Sequence, residues 1–519
     1  MTTSSAAETT MVRVALTAFA QRRQQVAITH AGGDSTYGEL LDRTYRLARA
    51  LGAQGLKRGD VIALATGAHP DTFALRFAAN ALGCATTVLY DDLAPAVLVE
   101  MLRTVGAAAA VFRPDHDADR ILAAVKQVPG TAALALGDHP DAVNLAKAAA
   151  AESGEPVEIQ ARPEDLASIR LTGGSTGTPK GIPHTAVAPA YFAPDVLPGF
   201  AMTQLLCTAI GHLGGTIAEV VLAAGGRVVL QENGFDPGDV LAAIEREKIQ
   251  YVWMHPAMLH RLLDHPGLAS TDTSSLRSLT IAGAPSTPER IAQALRRFGP
   301  IITQGYGTFE FGQITLLSPE EHQRPELLTT VGRPVPGVQV SIRDREGQPL
   351  GIGATGEIWV RGSGLTSGVM SGYYKRPDLT AQVIRDGWYI TGDLGFFDTD
   401  GYLSVVGRSK DVILARDKVH PVQVENVLHR HPHIQQAVVF GVTNGVDNDE
   451  KVGAAIVPTP PQHDLSTDDV ADWVRSELGG AYAPEVVLIL PEIPIVGSGK
   501  PDRAGLQRMA RTVPRSDLD

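Results

Sequence analysis

The sequence predicts an α/β protein with a β-rich segment and a small α+β unit near its C-terminus. In the first 330 residues, amphipathic helical segments alternate with short apolar segments, which is typical of a mostly parallel sheet covered by helices. Between residues 330 and 408, short β-type segments alternate with turns, which indicates antiparallel structure. After residue 408, helical and strand-like segments form a separate small unit.

Residues 1–10 are polar, and we expect them to be disordered. The predicted elements that follow are helix 37–52, strand 60–65, helix 73–82, strand 86–90, helix 95–104, strand 108–112, strand 226–230, helix 238–245 and strand 251–253. Pro95 lies in the first turn of its helix, where a missing N–H costs nothing.

The β-rich segment contains predicted strands at 338–342, 356–360 and 401–406. The C-terminal unit contains helix 423–429, strands 434–442 and 451–457, and helix 467–478. Asp468 and Asp469 lie in the first turn of the last helix, where negative charge is favoured.

Composition indicates a globular protein of several domains. The chain has 519 residues, of which 44% are hydrophobic and 20% charged, and a net charge of −12. At about 150 residues per domain this length predicts three to four units. The acidic balance argues against nucleic-acid binding, which needs a basic surface.

The cysteines and the apolar segments indicate a cytoplasmic location. Cys84 and Cys207 are the two cysteines, both in apolar surroundings, so we expect small buried hydrophobic residues and no disulfide framework. No apolar run reaches the roughly 18–20 residues of a membrane span. The N-terminal residues also lack the pattern of a signal peptide, so we expect no membrane association.

One loop has the composition of a polyphosphate-binding segment. It runs through Thr172, Gly173, Gly174, Ser175, Thr176, Gly177, Thr178, Pro179, Lys180 and Gly181. Glycines let backbone N–H groups approach phosphate oxygens, hydroxyls add donors, and Lys180 adds a positive charge. An exposed turn would have the same composition, so the loop alone leaves both interpretations open.

Two other phosphate motifs are excluded. A P-loop needs glycine before its lysine, and Pro179 occupies that position. The spacing of a dinucleotide fingerprint occurs at 351–356, but the residues after it read as a strand. The fingerprint requires a helix N-terminus there to hold the pyrophosphate, so we interpret this segment as a turn entering a strand.

Five further motifs follow the loop in order. They are 212–215 (HLGG), 304–310 (QGYGTFE), 389–395 (YITGDLG), 407–411 (GRSKD) and 494–500 (PIVGSGK). With the loop, they resemble the adenylate-forming superfamily of acyl-CoA synthetases, peptide-synthetase adenylation domains and firefly-type luciferases. The resemblance covers residues from about 25 to 508 and is greatest to bacterial acyl-CoA ligases. The Ala- and Arg-rich composition suits an actinobacterial natural-product pathway, such as antibiotic biosynthesis.

The resemblance implies a specific architecture. Residues 11–408 would form a large N-terminal domain of two mixed sheets with helices, plus a distorted β-barrel within 330–408. Residues 409–519 would form a small, mobile α+β lid domain. The lid would rotate about a hinge at Lys410, and a homodimer is possible.

The resemblance also implies residue roles. The 172–181 loop would grip the β- and γ-phosphates of ATP, and Gly283, Ala284 and Pro285 would lie against adenine. Tyr306 would stack on the adenine ring, with Gly307 and Thr308 beside the nucleotide.

The remaining implied roles belong to charged side chains and one histidine. Glu310 would hold Mg²⁺, while Asp393 and Arg408 would contact the ribose. Lys500 would bridge the carboxylate and the α-phosphate. His212 would gate the acyl pocket.

Each of these residues also has an ordinary structural interpretation. Taken alone, Asp393 would be a turn-forming residue, Lys500 a solvated surface lysine and His212 a structural histidine. Their joint occurrence in order favours the functional interpretation. The histidines at 429, 431 and 433 have no matching acidic or cysteine ligands, and we interpret them as a solvated connection between a helix and a strand.

The implied reaction has two steps. A small-molecule carboxylic acid attacks the α-phosphate of ATP, with Mg²⁺, Lys180 and Lys500 neutralising charge. The thiol of coenzyme A then displaces AMP to form a thioester, after the lid has moved. Residues 208–212 are neutral apart from His212, which argues for an acid without an α-amino group.

Two departures from the family pattern concern these steps. Phe309 stands where the family has threonine, which removes a hydroxyl near the α-phosphate. Residues 414–420 contain no glycine, although the family usually has one or two there, lining the path of the thiol. Two alternatives therefore stay open: an enzyme that only converts a preformed acyl-adenylate, and a catalytically silent adenylate-binding protein. The presence of the whole charged set implied by the resemblance favours an active enzyme: Lys180, Glu310, Asp393, Arg408 and Lys500.

Overall fold

The structure is a computed structural model of the 519-residue chain. The residues that it describes are 9–91, 93–172, 179–189, 192–193, 195–232, 234–284, 286–362, 371–415, 418–443, 450–459, 465–494 and 501–512. The helices in these ranges are α1 Met11–Gln21, α2 Tyr37–Ala53, α3 Pro70–Ala81, α4 Pro95–Val105, α5 Ala118–Val125, α6 Leu145–Ala151, α7 Leu213–Ala224, α8 Pro237–Glu247, α9 Pro256–Asp264, α10 Pro288–Phe298, α11 Pro377–Val383, α12 Pro421–His429, α13 Thr467–Leu478 and α14 Arg503–Thr512.

The strands of the first 330 residues build two large sheets. They are β1 Val26–His30, β2 Gly33–Thr36, β3 Val61–Ala65, β4 Ala85–Val88, β5 Ala107–Phe112, β6 Ala132–Ala135, β7 Val143–Asn144, β8 Leu166–Thr172, β9 Lys180–Thr185, β10 Thr203–Leu206, β11 Arg227–Leu230, β12 Tyr251–Met254, β13 Ser278–Ala282, β14 Ile302–Thr308 and β15 Gly312–Leu317.

The remaining strands are mostly antiparallel. They are β16 Arg333–Pro334, β17 Val338–Arg343, β18 Gly356–Gly362, β19 Ile384–Arg385, β20 Trp388–Phe397, β21 Leu403–Arg408, β22 Ile413–Leu414, β23 Lys418–Val419, β24 Ile434–Thr443, β25 Glu450–Pro458 and β26 Val486–Ile489.

Both large sheets are mixed, with a parallel centre and antiparallel pairing at one edge of the first and both edges of the second. One has the order β7-β6-β5-β3-β4-β8-β9 and the other β16-β15-β14-β13-β12-β10-β11-β1-β2. In the first, β9 pairs antiparallel with β8; in the second, β2 pairs antiparallel with β1, and β15 pairs antiparallel with both β14 and β16. The carboxyl ends of parallel strands share one edge of a sheet, so residues just after β4, β10, β12, β13 and β14 are candidates for a ligand site.

Helices between the sheets supply much of the core. A buried apolar cluster joins α1, α2, α3 and α7 with strands of both sheets, and includes Phe19, Tyr37 and Phe77. The sequence starts α2 with a capping box, in which Thr36 and Glu39 exchange hydrogen bonds with each other's backbone N–H. Alternating helices and strands thus form the layers that the sequence pattern predicts.

The last third of the chain forms an antiparallel sheet and a smaller domain. Strands β17, β18, β20, β19 and β21 pair antiparallel, as predicted for residues 330–408. In the C-terminal domain, β24, β25 and β26 pack against α12 and α13 around a second apolar core. The fold class expected from the sequence is confirmed, whereas the domain limits at 10, 408 and 409 stay predictions.

Two details differ from the sequence prediction. Strand β4 ends at Val88, so Tyr90 lies beyond the strand at its carboxyl end. His429 is the last residue of α12 and not part of a solvated connection: its Nδ1 bonds the carbonyl of Glu425, and its Nε2 accepts from the N–H of Ala437. The contact of His429 with Glu425 is within the helix and its contact with Ala437 is tertiary, and the sequence spacing reveals neither.

Among the described residues no helix combines the length and apolarity needed to cross a bilayer.

Candidate active site

Three residues far apart in the sequence meet at one buried carboxylate. The hydroxyl of Tyr306 on β14 donates a hydrogen bond of 2.7 Å to Oδ2 of Asp393 on β20. Nε of Arg408 on β21 lies 3.0 Å from Oδ1 of the same carboxylate. The residues expected to contact adenine and ribose therefore form one connected group.

Strand pairing places this group. Asp393 and Arg408 are direct cross-strand partners in β20 and β21. Thr391, two residues earlier, accepts from the N–H of Asp393 at 3.0 Å and donates to the carbonyl of Ile358 at 2.8 Å. Asp393 is only 5% exposed, so its charge depends on these partners.

The electrostatics of the group favour a neutral Tyr306 beside Asp393. Burial, followed by the charge of Asp393, raises the pKa of Tyr306 well above its ordinary value. Burial opposes the charge of Arg408 but the carboxylate of Asp393 supports it, and the net pKa is raised. Arg408 therefore stays a cation beside any ligand bound there.

A second group lies around Glu310. The hydroxyl of Tyr373 donates a hydrogen bond of 2.9 Å to Oε1 of Glu310. Nζ of Lys180 lies 5.2 Å from the centroid of the Tyr373 ring, a cation–π distance. Tyr373 thus links the expected metal-binding carboxylate to the lysine of the phosphate loop, and carboxylate, hydroxyl and ammonium groups suit a magnesium polyphosphate.

Backbone segments border both groups. Gly283 follows β13 with a φ of +90°, and Gly283 and Ala284 are exposed, as a surface for a flat base requires. Gly307 and Thr308 end β14, and Gly307 is exposed. The side-chain oxygen of Thr308 accepts from the N–H of Phe311 at 3.2 Å, so this hydroxyl is engaged within its own turn.

His212 caps α7 and is 8% exposed. Its ring stacks on Tyr90 with centroids 4.9 Å apart and lies 6.1 Å from the ring of Phe309. His212 therefore lies between the carboxyl end of β4 in one sheet and that of β14 in the other, where a substrate would meet the nucleotide.

Lys410 faces the same site from the connection to the C-terminal domain. It lies in a single turn, Ser409–Asp411, and Ser409 donates to the carbonyl of Gly392 at 3.2 Å. Burial, with the neighbouring charges of Arg408 and Lys180, lowers the pKa of Lys410. The expected hinge lysine is thus within electrostatic range of Lys180.

Several expected site residues lie outside the described residues, namely Gly173, Gly174, Ser175, Thr176, Gly177, Pro285 and Lys500. The side chain of Thr172 also lies outside the described part of the chain.

Sequence reasoning missed Tyr373, Thr391 and Tyr90. Tyr373 reaches Glu310 across 63 positions and Tyr90 reaches His212 from the other sheet. Only Thr391 carried a local signal, because it lies in the same short motif as Asp393.

The fold and the site define a class of nucleotide-dependent enzyme. A family model described as "AMP-binding enzyme" matches residues 15–374, and one described as "AMP-binding enzyme C-terminal domain" matches residues 423–500. The chain therefore belongs to the AMP-binding, or adenylate-forming, enzyme family.

Individual relatives indicate which members of this enzyme family the chain is similar to. A feruloyl-CoA synthase of an Amycolatopsis species is 32% identical over 485 residues, covering 91% of this chain and 94% of that protein. The medium/long-chain-fatty-acid–CoA ligase FadD8 of Mycobacterium tuberculosis is 32% identical over 496 residues, covering 91% of this chain and 85% of that protein. Among solved structures, the amide bond synthetase McbA of Marinactinospora thermotolerans is 35% identical, with a TM-score of 0.84, covering 96% and 99% of the two chains. The chain is an ATP-dependent acid–thiol ligase of the acyl-CoA synthetase type.

Proposed function

We propose that this protein activates a carboxylic acid without an α-amino group as an acyl-adenylate and transfers the acyl group to coenzyme A. The observation that carries the proposal is the convergence of Tyr306 and Arg408 on the buried carboxylate of Asp393. A carboxylate held in this orientation is suited to accept hydrogen bonds from the hydroxyls of a ribose. The neutral segment 208–212 offers no carboxylate to pair with an α-amine.

The described residues suit the first step. Lys180 and Glu310, joined through Tyr373, would hold the polyphosphate and its Mg²⁺. The metal, when bound, supplies charge neutralisation at the phosphates. Lys500 would reach the α-phosphate from the C-terminal domain and offset the charge that develops there.

For the second step, the C-terminal domain would turn about Lys410. Lys410 lies close to Lys180 and Asp393, so rotation there exchanges the groups that face the adenylate. We place the protein in the cytoplasm, in a natural-product pathway that needs an activated acid, on the composition of the chain.

Carboxylate-dependent exchange of pyrophosphate into ATP tests the first step, and AMP release with coenzyme A tests both. We expect exchange with at least one acid of a broad panel, and loss of exchange in Lys500→Ala. A matched control is Lys451→Ala, because Lys451 is a lysine of the same domain that pairs with Glu485. Absence of exchange, with normal thioester formation from synthetic acyl-adenylates, would instead favour the half-reaction enzyme. Binding of ATP without either activity would favour the silent protein.

A second acceptor class, an amine, is favoured by two observations. The structure 35% identical to this chain over nearly its whole length is named an amide bond synthetase. In addition, segment 414–420 lacks the glycines expected beside a thiol path. A nucleophilic amine attacking the adenylate carbonyl would release AMP and form an amide without coenzyme A.

A comparison of acceptors distinguishes the proposal of a thiol acceptor from that of an amine acceptor. With a preformed acyl-adenylate, coenzyme A and a panel of primary and cyclic amines are supplied separately, and thioester and amide are measured by mass spectrometry. Faster enzyme-dependent thioester formation supports the first proposal. Amide formation above the rate without enzyme, with no thioester, supports the second.

A further inference from the structure

Five rings cluster at the point where the two large sheets meet. We call them the ring cluster, and they are Tyr90, His212, Trp253, His255 and Phe309. Tyr90 follows β4 in one sheet. The others follow or end β10, β12 and β14 in the second sheet. The cluster lies at the shared carboxyl edge, where ligands of such sheets bind.

The rings contact one another in regular aromatic geometries. Tyr90 and His212 are stacked, at 4.9 Å and 27°, and Phe309 follows at 6.1 Å and 32°. His255 meets His212 edge-on at 6.3 Å and meets Trp253 at 5.0 Å. These separations fall in the range in which aromatic pairs attract beyond their apolar area.

Burial differs across the cluster. Trp253 is 4% exposed and His255 6%, whereas Tyr90 and Phe309 are only partly buried. The more accessible residues of the cluster are therefore Tyr90 and Phe309. Phe309 directly precedes Glu310, so this part of the cluster lies next to the reacting end of an acid.

Two glycines bring the backbone close to rings of the cluster. A Cβ added to Gly211 would lie 3.0 Å from Cε1 of Tyr90, and one added to Gly283 would lie 2.6 Å from Cε1 of His255. A side chain at either position would press on these rings. The rings of Tyr90 and His255 thus lie directly against the backbone.

Arg170 fixes Phe309 from β8. Its guanidinium carbon lies 5.6 Å from the centroid of Phe309, and its Nη2 donates to Oγ1 of Thr216 at 2.7 Å. A threonine at position 309 would lack the ring that takes part in these contacts. The replacement therefore adds an aromatic surface beside the site as well as removing a hydroxyl.

We propose that the acid taken by this site carries an aromatic ring close to its carboxyl group, packed against Tyr90 and Phe309, and that Phe309 determines this preference. The inference rests on the proposed function. The two relatives of equal identity are named for an aromatic and for a fatty acyl group, so they do not decide the matter.

The test uses acids matched in carbon skeleton. Benzoic acid is paired with cyclohexanecarboxylic acid, and cinnamic acid with 3-cyclohexylpropanoic acid, in pyrophosphate exchange with the full-length enzyme. We expect kcat/KM to be about two- to tenfold higher for the aromatic member of each pair, as ring–ring contacts predict. Equal or higher values for the saturated members overturn the inference and leave the proposed function intact.

Variants assign the preference to Phe309. Phe309→Leu keeps an apolar side chain without the ring, and we expect the aromatic-to-saturated ratio to fall towards one. Phe309→Tyr should retain the ratio. Phe298→Leu is the matched control, because Arg297 lies over Phe298 at the same 5.6 Å but in α10. If the aromatic-to-saturated ratio were unchanged in Phe309→Leu, the role of Phe309 would be merely structural. Tyr90→Leu provides a second variant should Phe309→Leu fail to fold.

A binding experiment keeps the test independent of turnover. The inhibitors 5′-O-(N-benzoylsulfamoyl)adenosine and its cyclohexanecarbonyl counterpart mimic the two adenylates, and calorimetry compares their affinities. Tighter binding of the benzoyl compound supports the inference even if no acid supports exchange and the proposed function fails. Equal affinities overturn it.

Discussion

Arg290 and Gln435 are joined across the two domains. Nη2 of Arg290 on α10 donates to the backbone carbonyl of Gln435 at 3.1 Å, and Nε2 of Gln435 donates to Oδ2 of Asp264 at 2.8 Å. Asp264 is itself paired with Arg290 at 2.5 Å. Beside this triad, His260 and His429 face each other from the two domains with centroids 6.3 Å apart.

Loss of the Arg290 triad should loosen the C-terminal domain. Arg290→Ala removes hydrogen bonds to a charged group, each worth about 1.5–3 kcal/mol, so opening of the contact should become roughly ten- to hundredfold more frequent. Hydrogen exchange of the α12 and β24 amides measures this. Arg296→Ala, at an exposed position of the same helix, is the control. Equal exchange in the two variants would contradict the prediction.

Tyr306→Phe should weaken nucleotide binding. The variant keeps the ring but removes the donor to Asp393, whose buried carboxylate then lacks a bond of about 1.5–3 kcal/mol. We expect KM for ATP to rise roughly tenfold or more in pyrophosphate exchange. Tyr482→Phe, in the C-terminal domain, should leave KM unchanged. A normal KM in Tyr306→Phe would mean that the hydroxyl does not set the position of Asp393.

Tyr373→Phe should change the metal dependence of the reaction. Its hydroxyl orients Glu310, so the variant should need about tenfold more Mg²⁺ for half-maximal exchange. The neighbouring Tyr374→Phe serves as control. An unshifted Mg²⁺ titration in Tyr373→Phe would argue against a metal-binding role for Glu310.

The buried ion pair between Arg76 and Glu219 should couple α3 to α7. Nε of Arg76 lies 2.6 Å from Oε1 of Glu219, and both side chains are 9% exposed. Arg76→Leu leaves a buried carboxylate and should cost about 3–5 kcal/mol of unfolding free energy. The double variant Arg76→Leu/Glu219→Leu should recover most of it in urea unfolding. Additive losses would show that the pair is not coupled.

Stability should fall in acid through His184. Burial, with the charges of Arg170 and Arg76, lowers the pKa of His184 from 6.5 to about 3. Because the unfolded chain takes up the proton first, stability from this group is complete above about pH 6.5 and is lost as the pH falls towards 3. Between pH 7 and pH 4 the loss should reach about 3 kcal/mol.

His184→Gln isolates this contribution. The unfolding free energy of the variant should depend less on pH than that of the parent between pH 4 and pH 6.5. His139→Gln, in a loop at the end of β6, controls for other titrating groups. Parallel pH profiles for parent and His184→Gln would refute the assignment.

The order of helices and strands could be read from the sequence because apolar periodicity is a local property. Helix 467–478 was predicted with its observed limits, and the antiparallel nature of 330–408 was also correct. Asp393, Tyr306 and Arg408 were predicted from short motifs as parts of one nucleotide site. The structure places them in contact, although their roles stay predictions.

Other site features depend on pairs that no local pattern reveals. Tyr373 contacts Glu310, Arg290 contacts Gln435, and Tyr90 stacks on His212, in each case across tens of residues or more. In the sequence alone, Phe309 is only a departure from the family motif, which has threonine at this position. Its position beside His212 and Arg170 makes it part of an aromatic surface.

By itself, the amino-acid sequence determined the family and the fold class and predicted which groups would meet ATP, because short motifs and periodic apolar residues carry that information. Only the tertiary structure decided which rings and charges share a site, since the two sheets bring together the ends of strands that are distant in the chain. The predicted preference for a flat aromatic acid belongs to that second kind of information.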